Sequence, residues 1–325
     1  MHQRQHLLLS VTCCTVLLLL LPVLGWSPTA FASEKSPMAP NIIPVGNNTA
    51  DGAPSLWNFG GTLYLAWTGT DNAHHLYIVQ ATQTANGGLF FQNQHTINDT
   101  TIPGNGPTLA SFGGSLYLAW LSSSGDRHIY LGFYNNSSTL GNHATFDANA
   151  CSRPAMVSLN DTLYIAWREC GTNTLDIASS GNGYDFNIQH TSDSTYASPA
   201  MQIFNGQIYI TWVGTNSGHN IYLGTYPGFG SKINYVSGGR LTDTTTKDMS
   251  MAPNTTPGIS ELELGWRGST NTNLYIGSYQ NSSQLGTIPL NIPSLFGPGM
   301  STSYGHFYVA WADPAAFQLN IAAVL

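Results

Sequence analysis

Apolar positions in this chain fall in short runs divided by turn residues, and one run returns six times. It is clearest as Phe59-Gly-Gly-Thr-Leu-Tyr-Leu-Ala-Trp67, followed by Phe112 to Trp120, Leu159 to Trp167, Phe204 to Trp212, the worn Gly258 to Trp266, and Ser303 to Trp311. A second apolar run, Leu76-Tyr-Ile in the first copy, follows each. The runs are continuously apolar, which predicts strands covered on both faces. Each full copy reads as four short strands, in the first Pro54 to Phe59, Thr62 to Thr68, Leu76 to Ala81 and Leu89 to His95.

A proline stands 13 residues before each of the six tryptophans: Pro54, Pro107, Pro154, Pro199, Pro253 and Pro298. If Asn205-Gly206 is a two-residue hairpin turn, residues whose numbers sum to 411 face each other, so Pro199 opposes Trp212. That pair falls at a non-hydrogen-bonded site, where proline's missing N–H is not needed. The same offset predicts the same pairing in all six copies.

The tryptophans are spaced by 53, 47, 45, 54 and 45 residues. Four strands per unit at such a period predict an all-β, six-bladed β-propeller of four-stranded antiparallel blades; a sandwich or a solenoid is the alternative. The last copy ends after its third strand. Asn41 to Val45 is therefore expected to come round from the N-terminus, complete the sixth blade and close the ring.

Ahead of the repeats, Arg4 precedes an apolar run from Leu7 to Leu24, and Ala30-Phe-Ala32 supplies a small-x-small cleavage pattern. Residues 1–32 are read as a secretory signal peptide, 33–40 as a short linker and 41–325 as the propeller; a retained signal anchor is the alternative. Secretion to the extracellular side is the expected localisation, with no membrane span in the mature chain. Sixteen Asp+Glu against nine Lys+Arg, one of which (Arg4) leaves with the leader, exclude nonspecific nucleic-acid binding. A monomer is expected.

Beyond the leader stand Cys151 and Cys170, whose numbers sum to 321, as do those of Pro154 and Trp167. Facing each other across the third hairpin in an exported chain, they are expected to form a disulfide. In that register the pair falls at a hydrogen-bonded site, which a bulge near the strand end would relieve.

The tight turns crowd one end of the ring. The reactive side chains crowd the other: His74, His75, Asp126-Arg127-His128, Arg168-Glu169, His219, Arg267 and Asp313. Arg153, just before Pro154, should face Arg168, and two guanidiniums side by side call for an anion or a carboxylate. The candidate ligand-binding set is Arg153, Arg168, Glu169, Arg267 and Asp313; a solvated ion cluster neutralised by Glu169 is the plainer alternative. Tyr64, Tyr117, Tyr164, Tyr209 and Tyr308, three residues before Trp, are read as packing between blades. No cofactor motif, metal-ligand cluster or catalytic triad is legible.

The repeats resemble those of the sialidase-type, Asp-box propellers, over Asn41 to Leu325. The box survives faintly as Ser179-Ser-Gly-Asn-Gly183-Tyr-Asp-Phe186, with Gly181 where the family has aspartate and Phe186 where it has tryptophan. The resemblance implies a propeller with structural turns away from the ligand face and a sialidase-like glycoside hydrolase as one reading. The arginine triad and catalytic pair of the family cannot be assigned here. Glu169, Asp313, Asp126, Asp193 and Asp248 are the acids at the right end, and nothing in the sequence pairs them. A secreted propeller that binds a glycan or another extracellular surface ligand without turnover is the leading expectation; a protein-interaction scaffold is the third.

Overall fold

Two-residue turns decide the local structure. At Asn205-Gly206 both residues have positive φ, 49° and 72°, the twist that lets adjacent strands fold back tightly, with glycine removing the Cβ cost from the second. The computed structural model describes residues 40–324 apart from 86–87 and 280–285. The expected leader, and all but the last residue of the linker, lie outside the described residues.

Twenty-four strands form six four-stranded antiparallel sheets among the described residues. Blade 1 comprises Ser55–Phe59, Thr62–Thr68, His75–Gln83 and Leu89–Thr100; blade 3 comprises Ala155–Leu159, Thr162–Arg168, Thr174–Ser180 and Asn187–Ser194. The first strand of each blade touches the first strand of the next, and the sixth returns to the first. The molecule is a six-bladed β-propeller. Ile43–Thr49 supplies the outer strand of blade 6, with Ile43 opposite Ile321 and Pro44 opposite Asn320. The ring closes as the sequence predicts, covering an edge that would otherwise offer unpaired backbone groups.

All six repeat tryptophans are fully buried. In four blades the tryptophan stacks on a third-strand tyrosine, as in Trp67–Tyr77, with ring centroids 5.4 Å apart. The second-strand tyrosines do pack between blades: Tyr64 meets Tyr134, Tyr164 meets Tyr226, and Tyr209 meets Tyr279. Hydrogen bonds also join neighbouring blades, from Trp57 Nε1 to Ser111 Oγ between blades 1 and 2 and from Asn58 Nδ2 to Thr302 O between blades 1 and 6.

Blade 5 departs from the predicted register. Ser250 pairs with Gly265 and Pro253 with Leu262, so Met249, not Pro253, stands level with Trp266. A longer loop joins Ser250–Asn254 to Glu261–Arg267, and the proline offset there is coincidental. Pro253 is still tolerated, because it pairs with Leu262, four residues along the ladder from Trp266, and an even displacement preserves the non-hydrogen-bonded parity.

Candidate functional site

Each blade's chain enters from the same end, along a connection that descends into its first strand, and six connections therefore ring the axis. Glycine permits the tight convergence. A Cβ on Gly297 would lie 2.0 Å from Asp248 O, and one on Gly106 would lie 1.9 Å from Ala53 O. Where the connections stand apart they leave a pocket of about 230 Å³, whose lining includes Cys151, Arg168, Tyr196, Lys247, Asp248 and Phe296. Below it, the first strands enclose a narrower axial cavity of about 50 Å³ lined by Arg153, Met156, Met201 and Met251.

The disulfide fixes one side of the mouth. Cys151 and Cys170 are bonded with Cα atoms 5.0 Å apart. Register slips here by two: Ala150 bridges Glu169, and Cys151 N donates to Arg168 O at 2.9 Å, whereas Ala155 still pairs with Ala166. The slip relieves the geometric conflict of the in-register pair. It also corrects the expected facing of Arg153 and Arg168, since Cys151 takes the place opposite Arg168.

The two arginines thus occupy different levels. Arg168 donates from Nη1 to Asn173 Oδ1 and from Nη2 to Cys151 O, 3.1 and 3.0 Å away. Arg153 is buried and donates from Nε to Pro107 O at 3.0 Å. Burial pushes its guanidinium down from its ordinary value, and the charge of Asp248 opposes that shift. A guanidinium remains charged even so, so Asp248 balances a cation beneath the mouth.

The other predicted residues lie elsewhere. Glu169 accepts a hydrogen bond from Thr172 Oγ1 beside Asp176 and His190 in blade 3. Arg267 Nε donates to Ser294 O. Asp313 receives the Ala315 N–H and lines a separate cavity of about 290 Å³ with Ile42, Asn291 and Asn320. Glu169 does not neutralise an arginine pair, and the five residues form no single cluster. Sequence reasoning missed Tyr196 and Lys247, which stand on connections with no repeated offset. Tyr196 is 43% exposed and lies against the ring of His219, with centroids 4.0 Å apart.

Between the third and outer strands of blade 3, Ser180 Oγ accepts from the N–H groups of Asn182 and Gly183, and Asn182 Oδ1 accepts from those of Tyr184 and Asp185. The residue organising this turn is therefore Asn182, one place beyond the position of Gly181. Phe186 stacks on Phe146 of the preceding blade. The turn lies at the end opposite the mouth and is structural.

A six-bladed propeller with a polar axial mouth is the class these observations define. No family model matches the chain, and neither does any curated protein. Among solved structures it is similar to the Hadza microbial sialidase Hz136, with a TM-score of 0.63 at 11% identity over 86% of this chain and 66% of that one. A mutant of AofleA from Arthrobotrys oligospora gives 0.66 at 10% identity over 88% and 86%. The Trypanosoma rangeli sialidase in complex with the inhibitor DANA gives 0.59 at 10% over 86% and 55%. The chain thus spans about two thirds of the first and about half of the last. Such identities establish a shared fold.

Proposed function

We propose that this chain is an exported propeller that binds a glycan, or a similarly polar extracellular ligand, at the axial mouth without turning it over. The observation that carries the reading is the composition of the mouth. An exposed aromatic, Tyr196, stands with Arg168, Lys247 and Asp248 around a pocket of about 230 Å³. An aromatic face takes the C–H side of a sugar ring, while charged and backbone groups take its hydroxyls. Fold neighbours named as sialidases support the class of ligand.

Chemistry argues for binding over hydrolysis. Acid–base glycoside hydrolysis uses two carboxyl groups roughly 5 to 9.5 Å apart. Among the described residues lining the mouth, Asp248 is joined by no second acid. The disulfide suits the oxidising compartment that the leader implies, so residues 1–32 are taken as the signal, 33–40 as the linker and 41–325 as the functional unit.

A glycan array probed with the mature chain, run beside a fluorogenic sialoside assay, tests the reading. Retention of a glycan with no released product, weakened by Arg168→Ala and by Tyr196→Ala, is expected. Release of product would establish the hydrolase reading instead, and silence in both assays would leave the scaffold.

A further inference from the structure

Comparing blades at equivalent positions isolates one anomaly. The residue opposite the repeat tryptophan on the third strand is Tyr77, Tyr130, Tyr222 and Tyr275 in blades 1, 2, 4 and 5. Two residues after the tryptophan in blades 1, 4 and 5 stand Gly69, Gly214 and Gly268. A Cβ on each would lie 2.4, 2.5 and 2.8 Å from the tyrosine ring of its blade. Ring and glycine are thus one packing unit. Blade 3 replaces both members with acids: Asp176 lies opposite Trp167, and Glu169 stands two residues after it. On the outer strand, His190 lies opposite Asp176.

We propose that Glu169, Asp176 and His190 form a binding site for a divalent transition-metal cation of the zinc, cobalt or manganese kind. One ligand atom from each of the three lies within 4.8 Å of the others. Asp176 is 1% exposed, and its Oδ1 is buried without a hydrogen-bond partner. A buried carboxylate oxygen left unpaired is costly, and a cation is the partner that removes the cost. Asp176 Oδ2 lies 3.0 Å from His190 Nδ1. Two adjacent ligands of a cation bonded at about 2.1 Å are separated by about that much, so a metal can replace the proton they share with little rearrangement. His190 is 66% exposed on its side chain, which opens the site to solvent.

The donor set selects the cation. One imidazole and two carboxylates offer too few oxygens for calcium, which takes six to eight, and suit borderline metals that accept nitrogen, with water completing the sphere. Blade 6 provides a contrast within the same chain. It too lacks the tyrosine, with Asp313 and Asn320 at the equivalent places, but Pro44 lies opposite Asn320 where blade 3 has histidine. The site is separate from the axial mouth and does not depend on the ligand proposed there.

The test uses the mature chain stripped with chelator and titrated with Zn²⁺, and with Co²⁺ while its visible absorption is recorded. One equivalent is expected to bind, with at least about tenfold weaker affinity in Asp176→Asn and in His190→Gln, since even outer partners of metal ligands are worth that much. His190→Gln changes an exposed side chain and keeps the test open if Asp176→Asn fails to fold. The proposal is overturned by the absence of saturable binding, by binding in both variants equal to that of the unsubstituted chain, or by preference for Ca²⁺ over Zn²⁺.

Discussion

Replacing Cys151 and Cys170 together with serine removes the covalent tie beside the mouth, and its cost follows from the structure. The bridge closes a loop with a sequence separation of 19 residues. In the chain-entropy treatment, a loop of this size is worth about 3 kcal/mol at 25 °C. Unfolding entropy of about 2.1 cal/mol/K per residue gives about 0.6 kcal/mol/K for a body of this length, so the melting temperature should fall by about 5 °C. Scanning calorimetry of the Cys151→Ser/Cys170→Ser variant checks the figure, with reductant added to both proteins. Reductant should lower the wild type to the level of the variant and leave the variant unmoved. Because Cys151 O accepts from Arg168 Nη2, ligand affinity at the mouth should fall as well. A shift under about 1 °C, or free thiols titrated in the oxidised wild type, would show that the bridge does not carry this stability.

Other perturbations follow from the same geometry. Gly297→Ala forces a Cβ to within 2.0 Å of Asp248 O; stability should drop by roughly 1–3 kcal/mol in urea titrations as the connections part. Deleting residues 41–49 from the mature chain strips the outer strand from blade 6, and size-exclusion chromatography should show aggregation where the intact chain elutes as a single species. Leu118→Ala, at a site with no solvent exposure, should cost about 2–5 kcal/mol by calorimetry.

The fold was legible because one spatial relation recurs in the chain. A proline at constant distance from a tryptophan fixes hairpin register, and six such pairs with four apolar runs each leave few closed arrangements other than a propeller. The exception is instructive. Pro253 keeps the distance by accident, since blade 5 has a longer loop and compensating positions, and only the strand pairing reveals Met249 level with Trp266.

The site was harder to read. Arg168 lines the mouth, but Arg153 and Arg168 are parted by a two-residue slip that alternating patterns do not encode. Tyr196 and Lys247 sit on irregular connections, where no periodicity marks which residues converge. Within blade 3, Glu169 follows the end of the second strand, Asp176 lies on the third and His190 on the outer one. No local motif joins them, although aligning the copies by their tryptophans exposes two acids at places held elsewhere by tyrosine and glycine.

A crystal structure of the mature chain with a glycan retained on the array shows where the ligand sits. The sugar is expected on the propeller axis at the end bearing the tryptophans, with a ring against Tyr196 and hydroxyls or a carboxylate within hydrogen-bond reach of Arg168 and Lys247. A sugar seated on the tight-turn face, or on the outer side of a blade, would contradict that placement.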